Sequence, residues 1–148
     1  MAKRILVPVG PSESADAGIP LVAELARSTG ATVRLLTVYP VPRLEAGRGG
    51  VPYADREIER LQRAGLRRLA PLAARLDGVP VEMIVRFGKP VEEILIECEA
   101  FGADLIALGS VEEDWRPRFL GLGVADRVFR RAAVPVLLLR APSLAVAA

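Results

Sequence analysis

The stretch ADLIALGS at residues 103–110, followed after a polar loop and a helical pattern by VPVLLLR at 134–140, decides the fold. Leu105 to Leu108 is apolar and ends on the small residues Gly109 and Ser110, as a buried strand does where it turns into a loop. Asp126 to Arg131 belongs to the helical pattern, and Val134 to Leu139 reads as a last buried strand. In open α/β sheets, ligands sit where loops leave the carboxyl ends of strands. The loop after Leu108 is therefore where a phosphate cradle would lie. It carries Glu112, Glu113 and Asp114 where such a cradle needs glycine or positive charge.

Upstream, the same alternation repeats. Arg4 to Val9 (RILVPV) is a first central strand that stops at Gly10-Pro11, and Ser12 or Ser14 offers a helix N-cap. From Ala15 to Arg27, Ile19, Val22, Ala23 and Ala26 recur at helical spacing; Pro20 inside that pattern predicts a late start or a kink. Gly30 is the C-cap candidate. Thr32 to Tyr39 is the second strand, and Pro40 to Pro52, rich in Pro, Gly and Arg, reads as the longest flexible segment. Ile58, Leu61, Leu66, Leu69, Leu72, Ala73 and Leu76 mark a long amphipathic helix closing near Asp77-Gly78.

Pro80 to Phe87 is the third strand. Pro90 then suits a first helical position, and Val91, Ile94, Leu95 and Cys98 share one face of a helix ending near Gly102. Strands and helices alternating at this spacing predict an α/β fold: a five-stranded, doubly wound parallel sheet with helices on both faces. Residues 1–140 form a single domain, and the tail at 141–148 is expected to fray.

Composition narrows the function classes. Of the 148 residues, 51% are hydrophobic but only 5% aromatic, which suits a Val, Leu, Ile and Ala core under a parallel sheet. Twenty basic residues against eighteen acidic ones leave a formal charge of +2, and no clustered basic stripe stands out, so nucleic acid is not an expected partner. Arg67, Arg68 and Arg75 read as a solvated helix face. A single cysteine excludes an internal disulfide and fits a reducing cytoplasm. The N-terminus lacks a signal-peptide apolar stretch, and no run nears the ~18 apolar residues of a membrane span. With no histidine, the serine triad and most transition-metal sites are out of reach, and no catalytic residue or metal ligand is expected.

Four pieces in order, ILVPV near the start, GKPVEEIL before the third helix, ADLIALGS and VPVLLLR, resemble the universal stress protein family from Lys3 to Arg140. The resemblance implies the adenine-nucleotide alpha-hydrolase-like fold and a homodimer, often made by pairing the last strands across a two-fold axis. Some members bind ATP and others do not. Those that do carry G-x2-G-x9-G-S/T after the fourth strand. Counted from Gly109 and anchored by Pro135, the second glycine position is Glu112, the third is Leu122, and the serine or threonine position is Gly123. Gly121 and Gly123 flank the missing glycine, so a one-residue slip would restore part of the motif. At the adenine end, the family's aspartate after the first strand is replaced by Gly10, whereas Val38 keeps an apolar contact position.

The resemblance thus puts the candidate nucleotide-binding residues at Pro8, Val9, Gly10, Val38, Gly109, Ser110, Gly123 and Val124. Glycine lets backbone N–H groups converge on an anion; Glu112 instead adds a side chain and a repelling charge. Arg116 and Arg118 turning inward would offset it, with Pro117 stiffening the segment between them. The expectation is a cytoplasmic regulatory or protective protein with no required cofactor, acting through a homodimer and a protein partner not identifiable from the chain. An ATP- or AMP-binding switch built on a rearranged loop between Gly109 and Gly123 is the alternative.

Other residues read more plainly. Ser110 is a phosphate ligand or merely the polar end of a strand. Trp115 stacks on a ligand, covers the cleft or meets a partner chain. Cys98 reads as core, Lys89 as a surface charge, and Glu92, Glu93 and Glu97 as helix-dipole partners rather than an acid-base pair. The last strand, through Val134, Val136 and Leu138, is the expected dimer contact if it lies at a sheet edge.

Overall fold

The computed structural model describes residues 2–10, 13–42, 50–108 and 123–139. Five strands form one parallel sheet: β1 (Arg4–Pro8), β2 (Thr32–Tyr39), β3 (Val81–Phe87), β4 (Leu105–Leu108) and β5 (Val136–Leu138), in the order β3-β2-β1-β4-β5. The helices are α1 (Ile19–Thr29), α2 (Gly50–Ala74), α3 (Pro90–Phe101) and α4 (Val124–Arg131). Central strands are covered on both sides, which explains the unbroken apolar runs of β1 after Arg4 and of β4. Ile5, Val7, Val33 and Leu35 pack with Ile19 and Val22 of α1, Leu69 and Leu72 of α2, and Leu76 just beyond it. Leu6, Leu36, Ile106 and Leu108 face the other way, onto Val91, Ile94, Cys98, Phe101, Ala125 and Val128 of α3 and α4.

β1 pairs with β2 on one side and β4 on the other, so the strand order reverses between β1 and β4. In open α/β sheets such a reversal is where a ligand crevice lies, here at the carboxyl ends of these two strands. The elements expected from the sequence are present, with shifted ends. α1 begins only at Ile19, behind a 3-10 turn at Glu13–Gly18, and its N-cap is Gly18 without a side-chain hydrogen bond. Pro20 has no N–H to give an upstream carbonyl, so it fits only the first turn, and this delays the helix. Ser14 consequently lies in the 3-10 turn and is not the cap.

At the other ends, Gly30 and Gly102 take left-handed φ angles of 72° and 67° and close α1 and α3, as C-cap glycines do. α2 starts at Gly50, so the last three residues of the Pro40–Pro52 segment are helical rather than loop. β5 is shorter than expected. Val134 precedes the strand and packs at the margin of the α3/α4 core. Pro135 has no N–H to donate, although its carbonyl still accepts from Ile106 at 3.0 Å.

Candidate functional site

The crevice is built from the end of β1 outward. Val9 donates its N–H to the Leu36 carbonyl at 2.7 Å, which carries the pairing with β2 one residue past the strand. Val9 is buried on the α1/α2 side, whereas Val38 and Val124 pack at the margin of the α3/α4 core. Gly123 is buried at the N-cap of α4, with φ −71° and ψ 165°, and its carbonyl accepts from the Arg127 N–H at 3.0 Å. Any residue can adopt that backbone, so the glycine is not demanded by its own conformation. Of the site residues expected from the sequence, Pro8, Val9, Gly10, Val38, Gly123 and Val124 are thus placed around one end of the sheet. Gly109 and Ser110 lie outside the described residues, as do Ser12, Glu112, Glu113, Asp114, Trp115, Arg116, Pro117, Arg118, Gly121, Leu122 and the tail at 141–148.

Sequence reasoning missed one residue at this end. Arg68 of α2 donates from Nη2 to the Gly10 carbonyl at 3.0 Å. It also grips the Asp16 carboxylate with both terminal nitrogens, at 2.8 and 3.0 Å. Its side chain is only 20% exposed, which corrects the solvated-face reading for this arginine. Arg67 and Arg75 are exposed as expected, and Arg75 reaches the Asp16 carbonyl at 3.5 Å. The available signal was Arg68 lying next to Leu69 and four residues before Leu72, on the flank of the buried face, with Asp16 as the acid in the facing loop.

A second set of charges lies between α3 and the β2/β3 edge of the sheet. Glu97 is 3% exposed; it accepts from Arg34 Nη1 at 3.2 Å and pairs with Arg86 Nη1 at 3.6 Å. Arg34 also meets Glu82 at 3.2 Å and stacks over the Phe101 ring at 4.1 Å, while Arg86 Nε binds Glu93 at 3.0 Å. Glu92 reaches Arg131 of α4 at 3.2 Å; its own backbone N–H first, then Arg131, hold its carboxyl below the usual range. Glu92 and Glu93 do occupy the first turn of α3, but Glu97 is a buried ion-pair partner and not a solvated dipole partner. Each of these carboxylates is tied to an arginine, which is the opposite of a poised acid-base pair.

Cys98 is buried in the α3/α4 core; burial, and secondarily the neighbouring Glu99, push its thiol up, away from the nucleophilic thiolate. Lys89 is exposed at the N-cap of α3. Among the described residues no cluster of metal-ligating side chains occurs, and no helix is long and apolar enough to cross a membrane. An open groove at the opposite pole, lined by Arg4, Thr32, Arg34, Glu82 and Phe101, has Arg34 already engaged by Glu82, Glu97 and the Phe101 ring.

Gly10 offers no carboxylate, and the carbonyl it does offer is held by Arg68.

The family model described as the universal stress protein family matches residues 1–140. Among solved structures, the hypothetical protein MJ0577 is similar at 23% identity and a TM-score of 0.78, over 95% of this chain and 97% of that one. A universal stress protein in complex with cAMP shares 19% identity at a TM-score of 0.66, over 95% and 98% of the two chains. The universal stress protein from Archaeoglobus fulgidus in complex with dAMP shares 22% at 0.57, over 92% and 96%. These likenesses establish the fold. Comparison with curated proteins gives no match.

Proposed function

The chain belongs to the universal stress protein family, and from that premise we propose a regulatory or protective, non-catalytic, cytoplasmic member that works as a homodimer through protein partners and does not take ATP. The observation that carries this reading is the Arg68 clamp. A carboxylate at the base end could accept from the adenine amino group; Gly10 has none, and its carbonyl is spent on a guanidinium held in turn by Asp16. The sequence beyond β4 supports the same conclusion, because Glu112 and Leu122 replace two of the motif's glycines. Titration calorimetry with Mg-ATP tests it. A flat titration at protein concentrations that detect micromolar affinity is expected; heat saturating near one nucleotide per chain overturns it.

A second reading keeps a nucleotide switch with a rearranged loop, in which Gly121, Gly123, Arg116 and Arg118 replace the usual cradle. The complexes of two similar proteins with cAMP and dAMP favour it, since one phosphate asks less of a loop than three. Titrating AMP and cAMP beside Mg-ATP separates the two readings: saturation by the monophosphates alone selects the second.

A further inference from the structure

Counted along the sequence, the arginines of residues 56–67 are interleaved with acids, and no basic stripe stands out. The helix sorts them. Arg56, Arg60, Arg63 and Arg67 follow one another at intervals of four, three and four residues, so at ~100° per residue they fall within about 60° of one another. The row is about 16 Å long at 1.5 Å per residue. All four are exposed, on the side of α2 turned away from Leu69 and Leu72. Arg60 pairs with Glu57. Arg56, Arg63 and Arg67 form no ion pair with any described residue, and Leu66, 39% exposed, stands beside Arg63 and Arg67.

We propose that this row, centred on Arg63, Leu66 and Arg67, docks an acidic segment of a partner protein. The inference rests on the reading that the chain acts through partners, and it gives that partner a chemistry. Arginine forks match carboxylates two hydrogen bonds at a time, and arginine beside an exposed apolar residue is the composition of protein interfaces. A continuous phosphate backbone fits less well. Tracking the whole row, a backbone would pass both Asp55 and Glu59, which are exposed beside its Arg56–Arg60 half, whereas a short acidic segment can centre on Arg67, two turns beyond Glu59. The overall charge of +2 supplies no wider field for a polyanion.

The test uses the full chain and a fluorescein-labelled acidic peptide with glutamates every third or fourth position around two central leucines. Fluorescence anisotropy follows its binding, beside a labelled DNA duplex of similar length. Saturable peptide binding is expected, about tenfold weaker in the Arg63→Gln/Arg67→Gln double variant, as loss of two exposed charges predicts. Arg127→Gln, an exposed arginine on α4, should leave it unchanged. Equal weakening by Arg127→Gln means nonspecific charge attraction and overturns the proposal. Tighter binding of the duplex overturns it in favour of nucleic acid, and absence of peptide binding overturns it outright. Mg-ATP titration is read separately, so failure of the docking surface is distinguishable from failure of the nucleotide-free reading.

Discussion

At the scale of single residues, Arg68 shows how a surface-seeming charge becomes structural. Its guanidinium ties α2 to the loop after β1 through one carbonyl and one carboxylate, all partly withdrawn from water. Removing either charge leaves its partner half-buried and uncompensated, which costs more than the pair contributes. Arg68→Gln and Asp16→Asn should each lower stability by about 1–3 kcal/mol, read from urea midpoints, and the double variant by clearly less than their sum. Additive losses would mean that the two side chains act separately. Neither Arg68 nor Glu97 was legible in the sequence for the same reason: helical periodicity ranks positions by hydrophobicity and assigns charges to solvent. Their partners, Asp16 and the Arg34/Arg86 pair, lie on other elements, 52, 63 and 11 residues away. That Gly10 carries no carboxylate can be read from one letter. That its carbonyl is also engaged cannot.

At the scale of elements, strands were the most legible feature and helix starts the least. β2 spans Thr32–Tyr39 as its run of branched residues implies, with Val33, Leu35 and Leu36 buried on both faces and the one charge in it, Arg34, paired with Glu82 and Glu97. α1 and α2 start where proline permits and not where the apolar pattern begins. The packing of α2 against the sheet turns on Gly65. A Cβ there would lie 2.6 Å from Val85 Cγ2 and 3.1 Å from both Thr37 Cγ2 and Tyr39 Cε2. Two effects compete in Gly65→Ala: a gain of about 1 kcal/mol in helix propensity, and an overpacking cost of about 1–3 kcal/mol. Three neighbours on two adjacent strands cannot all retreat, so the collision wins. Gly65→Ala should destabilise by up to about 2 kcal/mol net, and adding Val85→Ala, which removes the nearest methyl, should make the alanine at 65 cheaper than in the wild-type background. Denaturant unfolding of the four proteins measures this, and a stabilising Gly65→Ala would show that the helix can lift off the sheet.

At the scale of the whole molecule, the sheet has two edges that are defended differently. β3 carries Glu82 and Arg86 on its α3-facing side, charges that deter strand addition. β5 carries none: it is three apolar residues, Val136–Leu138, bonded among the described residues to β4 alone, with Leu138 49% exposed. Leu138 points to the same side as α4, the helix leading into this strand, where Phe129 is 60% exposed. A pairing of two short strands across a two-fold axis supplies few hydrogen bonds. A stable dimer ordinarily buries about 1,200–2,000 Å² in total, so the side chains flanking the strand must provide most of the contact. Leu138 and Phe129 are the residues positioned to do so, and Val134, which precedes the strand, has a smaller part. Sedimentation velocity should therefore find a dimer that Leu138→Asp and Phe129→Asp each convert largely to monomer. Met83→Asp, a comparable change of an exposed apolar residue on the opposite edge strand, should leave the dimer intact. If Met83→Asp dissociates it while Leu138→Asp does not, the subunits meet through β3. A wild-type monomer at micromolar concentration would mean that the bare β5 edge serves another partner.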